Sequence, residues 1–298
     1  MGLYLAWKLS EAGHKVTVFE KKDKIGKEAC SGLFSKRLLG FVPESQVLVQ
    51  NKIDSVLVHF PKKNIRVKFA NPFLLMSHAA LDRLVAGLAE KSGAKIILQN
   101  PIDDLPQGFD RIIGCDGANS VVRKKLKLED AQSRLGIQGF VDEQDDSDKI
   151  ETWAVNDGFL WKIPRGQETE YGVIAKPKKA KAILEEFLKN KNIKVSRMTA
   201  ALIPQGFIVP RNDNITLCGD AAGLTKPWSG GGVIWGLTAA DLILNNFPHF
   251  LKSRKAIQKR FWLEIVLARF VVKVVYFLGF HCPVFLPKNV TIDGDFTI

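Results

Sequence analysis

The sequence predicts an α/β protein of two joined lobes, and three stretches carry that prediction. Gly2 to Ala12 has helical spacing and leads through Gly13-His14-Lys15 into the β-rich run Val16-Thr17-Val18-Phe19-Glu20. Ile215 to Cys218 is a short apolar run that stops at Gly219-Asp220 and, after Pro227, restarts at Gly230-Gly231-Gly232 as a helix. Ser55 to Phe60 and Asn64 to Phe69 read as strands joined by Pro61-Lys62-Lys63, a hairpin with one wet face. Short strands alternate with helices in the first two stretches, and strand follows strand in the third. A wound lobe beside a mostly antiparallel one is therefore expected.

Composition bounds the rest. With 298 residues, 46% of them apolar, and with six Trp and 19 Phe, the chain can bury a large core. Cys30, Cys115, Cys218 and Cys282 form no C-x-x-C pair and no secretory leader is visible, so a reducing cytoplasm is expected, without disulfides or zinc. The net charge of +12 fits nucleic acid, an anionic membrane surface or acidic ligands such as phosphates. No zinc-finger or RNA-recognition signature is present, which argues against nucleic acid.

Glu20 ends its strand where dinucleotide-binding units place the acid that bonds ribose hydroxyls. Gly2 matches only the last glycine of the G-x-G-x-x-G turn that precedes such a helix; the expectation is that the chain starts inside the unit. Asp220 could project its carboxylate toward a bound polyol. Gly230, Gly231 and Gly232, followed by Val233, would let backbone N–H groups at a helix start approach an electron-rich ring edge. A third motif, Gly114-Cys115-Asp116-Gly117-Ala118-Asn119-Ser120-Val121-Val122-Arg123, delivers Asp116 to a Gly turn, with Ser120 placed to cap the next helix and Lys124, Lys125 and Lys127 on its later turns.

These motifs, in this order, resemble the flavoprotein superfamily of the para-hydroxybenzoate hydroxylase fold. Its second FAD motif is a strand ending in Gly-Asp, then Ala/Gly and P-x-x-G-x-G; its Asp-Gly signature is G-x-D-G-x-x-S-x-x-R. The resemblance implies a Rossmann-like FAD-binding lobe, an interleaved antiparallel substrate lobe, a helical C-terminal segment and FAD as cofactor. It assigns cofactor contact to Gly2, Glu20, Asp116, Gly117, Gly219, Asp220, Gly230, Gly231, Gly232 and Val233. The superfamily also carries an Arg at the start of the helix that this sequence predicts over Ala79 to Ser92, with Leu81, Leu84, Val85 and Leu88 on one face and the strand Lys95 to Leu98 after it; here His78 stands instead.

Two further stretches narrow the resemblance. Cys30-Ser31-Gly32-Leu33 matches the Cys-x-Gly-Leu loop of the geranylgeranyl reductase family, which includes the archaeal digeranylgeranylglycerophospholipid reductases. Phe159, Trp161 and Pro164 match that family's aromatic-x-Trp-x-Phe-Pro element, with Ile163 in place of the usual Phe. The resemblance puts Cys30, Ser31 and Gly32 against the flavin, lines an isoprenoid cavity with Phe159, Trp161 and Pro164, and makes Cys30 and Trp161 the candidate catalytic residues. Read without it, Cys30 is a small buried residue and Trp161 a core residue of an alternating strand.

Glu143 to Asp148 reads as a solvated hairpin tip, without the spaced ligands of a metal site, and Ile183 to Leu188 starts a further helix. Lys252 to Arg260 is basic and Phe261 to Phe280 nearly all apolar, with Glu264, Arg269 and Lys273 inside it. Three charges argue against a span; packing on the substrate lobe and lying on a bilayer with cations toward anionic lipid both stay open.

The expected division is a discontinuous FAD-binding domain of residues 1–50, 76–135 and 206–248, a substrate domain of 51–75 and 136–205, and a helical segment of 249–298. The resemblance implies FAD-dependent reduction of carbon–carbon double bonds in isoprenoid chains of membrane lipids. The alternatives are a flavin monooxygenase on an apolar substrate and a chain that binds flavin or lipid without turnover. A monomer is expected, cytoplasmic and peripheral on the inner face of the membrane. The electron donor stays open among ferredoxin, a quinol and NADPH, and no residue stands out as proton donor.

Overall fold

The computed structural model describes residues 1–26 and 29–295, so Lys27 and Glu28 of the expected Cys30 loop lie outside the described residues. The wound lobe opens with α1 (Gly2–Glu11), whose Tyr4, Leu5, Trp7 and Leu9 are buried, and continues into β1 (Thr17–Phe19). Short β2 (Leu33–Ser35) and α2 (Leu38–Phe41) follow the Cys30 loop. The hairpin strands β3 (Asn51–Phe60) and β4 (Lys63–Leu75) leave the lobe, and α3 (His78–Lys91) returns to it. Ser77 caps α3 by accepting the Ala80 N–H at 3.2 Å, and Leu81, Val85, Ala86 and Ala89 form its buried face. Then come β5 (Lys95–Ile97), β6 (Ile112–Gly114) and α4 (Val121–Lys125).

The long strands β7 (Gln132–Val141), β8 (Lys149–Val155), β9 (Gly158–Pro164) and β10 (Thr169–Ala175) build the second lobe, covered by α5 (Pro177–Asn190) and closed by β11 (Met198–Gln205). The chain re-enters the first lobe at β12 (Ile215–Leu217) and α6 (Val233–Leu244), then runs through α7 (Phe250–His281) to β13 (Asn289–Ile292).

In the wound lobe β1 pairs in parallel with β5, and β6 with β12, as two separate pairs. Trp7, Leu81, Leu217, Trp235 and Phe261 share its core, which joins α1, α3, α6 and α7. The large sheet runs β11-β7-β10-β9-β8-β3-β4-β13, with β2 also on β4; β3–β8 and β4–β13 are its parallel neighbours. The acidic stretch is therefore not a hairpin tip. β7 and β8 do not pair, because β10 and β9 lie between them, and Asp145 turns inward to bridge Gly166 and to ion-pair with Lys162 at 2.8 Å.

Side-chain alternation gives the sheet two apolar faces. Leu160, Tyr171 and Val173 meet Leu184 and Leu188 of α5 on one, while Trp161, Ile163 and Ile174 meet Ile53 and Leu75 on the other. α7 is one continuous helix. Phe250, Ile257, Phe261, Ile265 and Ala268 face the protein, and Trp262, Val266, Phe270 and Phe277 face outward. Among the described residues no helix is long and apolar enough to cross a membrane.

Candidate functional site

Two loops meet the Trp161 face of the sheet, and a third joins the first of them through Arg123, which donates to the Ala221 carbonyl. The first follows β12, where Gly219 takes φ +64° and Asp220 enters a single 3₁₀ turn. The Thr225 hydroxyl donates to the Pro204 carbonyl at 2.6 Å and Gln205 Nε2 to the Lys226 carbonyl at 3.1 Å, which fixes the glycine loop to β11. Gly230, at φ +72°, lies against Ile174 and Ile203; a Cβ there would come within 3.2 Å of both side chains. α6 then starts at Val233 from Gly232, and no side chain caps it. Asp220 Oδ1 sits 3.3 Å from where a Gly232 Cβ would be, so the carboxylate lies against the start of that helix.

The second loop carries Cys30. Gly32 has φ +67°, and a Cβ on it would meet the Met76 carbonyl oxygen at 2.4 Å, so only glycine fits this approach. The Met76 N–H donates to the Gly32 carbonyl at 3.0 Å. From the sheet, Arg165 Nη2 donates to the Ser31 carbonyl at 2.5 Å and Gln138 Nε2 to the Cys30 carbonyl at 3.3 Å. Arg165 also ion-pairs with Glu170, its Nε donating at 2.7 Å, and Trp161 Nε1 donates to the other oxygen at 2.8 Å. Burial pushes the Glu170 carboxyl above the usual range; Arg165 and Trp161 pull the other way and burial wins.

The third loop is the Asp-Gly turn. Asp116 accepts the Val121 and Val122 N–H groups at 2.6 and 3.1 Å, and Ser120 accepts the Arg123 N–H at 3.0 Å, so two side chains cap α4. Gly117 supplies φ +78°. Glu20, half-buried at the end of β1, accepts the Lys22 N–H at 2.9 Å. Gly2 opens α1, which also lacks a side-chain cap, and packs near Cys115. His78 packs edge-on to Phe34 at 5.4 Å and lies 3.6 Å from Asp82.

Trp161 is 6% exposed, so it stands in the sheet's apolar core, with half-buried Phe159 tilted beside it at 6.1 Å. Directly across on β10 is Gly172, where a Cβ would fall 2.2 Å from the indole. Pro164 is buried at the end of β9, opposite Thr169. The residues present fit a flavin: two uncapped helix starts offer N–H groups to anionic oxygens, and Glu20 and Asp220 offer acceptors to hydroxyls.

A family profile described as an NAD(P)-binding Rossmann-like domain matches residues 1–34. The digeranylgeranylglycerophospholipid reductase 1 of Methanosphaera stadtmanae is 26% identical over 271 residues, covering 76% of this chain and 67% of the relative. A geranylgeranyl bacteriochlorophyll reductase-like protein of Thermoplasma acidophilum superposes with a TM-score of 0.78 at 18% identity, over 92% of this chain and 84% of that one. The chain is thus similar in sequence to digeranylgeranylglycerophospholipid reductases and shares its fold with geranylgeranyl reductase-like flavoproteins. The fold extends further, since a flavin-dependent halogenase of Xanthomonas campestris superposes with a TM-score of 0.72 at 13% identity, over 94% of this chain and 76% of that one.

Three charged residues at this site carry no role in the sequence motifs. Arg123 had been seen only as a motif letter, yet its guanidinium is buried and bonds Asp130 and the Ala118 and Ala221 carbonyls. Glu170 carries no motif; the local signal for it is an Arg and a Trp within nine residues. Lys226, buried inside the glycine loop, had no local signal.

Proposed function

We propose that this chain reduces carbon–carbon double bonds of an isoprenoid chain, with FAD held between the two lobes. When bound, reduced FAD supplies a hydride for one carbon of the double bond. Glu20 would accept hydrogen bonds from the ribose and Asp220 from the ribityl chain, while Gly2, Asp116, Gly117 and Gly219 shape the backbone around them. The N–H groups of Gly231, Gly232 and Val233 would stabilise negative charge at the ring edge. Segments 1–50, 76–135 and 206–248 form the cofactor domain in this reading, and 51–75 with 136–205 the substrate domain.

The observation that carries the proposal is the Arg165 junction. One guanidinium ties the Cys30-Ser31 carbonyls to Glu170, and Glu170 ties them to Trp161. The loop that resembles the family's flavin-facing element is thereby fixed to the strand that resembles its substrate wall. Phe159, Trp161 and Pro164 give that wall an apolar surface that excludes water. Cys30 and Trp161 are the proposed catalytic pair: the loop touches the reacting region, and the indole holds the wall in register.

The substrate is a membrane lipid in this proposal, and α7 meets the bilayer. Trp262, Val266, Phe270 and Phe277 expose 46–64% of their surface along one side of the helix, beside Val284 and Phe285 at 78% and 75%. Lys252, Lys255, Lys259 and Lys273 are exposed on the same helix. An apolar stripe with cations is the pattern of a helix lying in a lipid interface.

The test is mass spectrometry of lipids from cells expressing the chain. Stepwise gains of two hydrogens in geranylgeranyl lipids support reduction; gains of oxygen would move the assignment to a monooxygenase.

A further inference from the structure

We infer that Lys226, Arg37 and Lys36 form an anion site for a phosphate or diphosphate group, filled in this structure by the chain's own Asp293–Asp295. Lys226 Nζ, on a side chain only 6% exposed, donates to Asp295 Oδ1 and to the Gly294 carbonyl, both at 2.9 Å. Trp235 Nε1 donates to the Asp295 carbonyl at 2.9 Å. Arg37 ion-pairs with Asp293, and its Nε stands 3.3 Å from Asp295 Oδ2. One cation thus straddles two carboxylates.

Burying an ammonium without an anion costs several kcal/mol, so Lys226 requires a counter-charge at this place. The one it has comes from a short segment beyond β13, a four-residue strand at the sheet's edge whose side chains are largely exposed. Asp295 Oδ2 is buried and makes no hydrogen bond. Lys226 Nζ and Trp235 Nε1 are met here by one carboxylate oxygen and two backbone carbonyls, acceptors that a phosphoryl group offers from a single centre. Asp293 and Asp295 together also present the spread charge of a diphosphate.

The site has a way in. A cleft of about 370 Å³ beside it is lined by Ser35, Lys36, Arg37, Asn71 and Phe73, with Asp293 and Gly294 forming its remaining wall. Displacing the segment would open the cleft onto Lys226, one residue before Pro227 in the glycine loop. The inference rests on this charge geometry and is independent of the reduction chemistry.

The probes are inorganic pyrophosphate and a short-chain phosphatidic acid below its micelle concentration, with short-chain phosphatidylcholine as the blocked-phosphate control. Binding is read by calorimetry and by tryptophan emission, which reports release of Trp235 from the Asp295 carbonyl. Removing the internal competitor with Asp293→Asn/Asp295→Asn should tighten pyrophosphate binding by about tenfold, and Arg37→Gln on the half-exposed surface should weaken it by about tenfold. Pyrophosphate alone binding assigns the site to a soluble anion; phosphatidic acid binding as well assigns it to a lipid headgroup; either supports the site. Binding that Arg37→Gln leaves unchanged overturns it. So does absence of binding to both the wild type and the double variant, or phosphatidylcholine binding as tightly as phosphatidic acid.

Discussion

Trp161 Nε1 donates to Glu170 at 2.8 Å while the indole lies over Gly172, so one side chain joins two neighbouring strands by a polar and an apolar contact. Trp161→Phe keeps the packing and removes the donor to a buried carboxylate, at a cost of about 1–3 kcal/mol. Gly172→Ala would drive a Cβ to 2.2 Å from the ring and 2.5 Å from the Ile137 carbonyl, and overpacking of this kind costs about 1–3 kcal/mol. Urea unfolding should show lower midpoints for both variants with unchanged slopes. Wild-type stability of Gly172→Ala would contradict the packing.

Glu170 also predicts a pH dependence. Its folded pKa is raised by burial, so the folded state holds the proton more tightly than the unfolded state does. That contribution is fully present below the unfolded value and is lost as pH rises through the folded one. The stability of the wild type relative to Glu170→Gln should therefore fall as pH rises from the ordinary carboxylate range through the raised folded value. A constant difference across that range would mean that Arg165 holds the carboxylate ionised throughout.

Asp220 lies against the uncapped start of α6, where it would accept hydrogen bonds from the ribityl chain. A charge-assisted bond is worth about 1.5–3 kcal/mol, so Asp220→Ala should weaken retention of added FAD at least tenfold, measured by ultrafiltration. Unchanged retention would remove Asp220 from the cofactor site.

The outward face of α7 should carry vesicle binding. Trp262→Glu and Phe270→Glu should reduce co-sedimentation with anionic vesicles several-fold, and raised salt should reduce wild-type binding. Equal sedimentation of the variants would assign that face to a protein contact.

Much of this site was legible in local chemistry. The S-x-x-R spacing places Ser120 to cap α4, and the glycine run places the start of α6, because both depend on neighbours along the chain. The interior of the large sheet was less so. An acidic stretch between two strands reads as a hairpin tip, but pairing order is a long-range property, and β9 and β10 intervene. The burial of Glu170 and Lys226 was not legible for the same reason: their partners Trp161, Arg165 and Asp295 become neighbours only through register and docking. β13 was hidden because four residues with one half-buried side chain carry no periodic signal.

The central claim is tested most directly without oxygen. Enzyme loaded with FAD and reduced by dithionite is mixed anaerobically with a geranylgeranyl lipid, and flavin reoxidation is followed in the visible band while products are weighed. The account predicts reoxidation matched by a product heavier by two hydrogens per turnover. A flavin that stays reduced until air is admitted, followed by an oxygenated product, would contradict it.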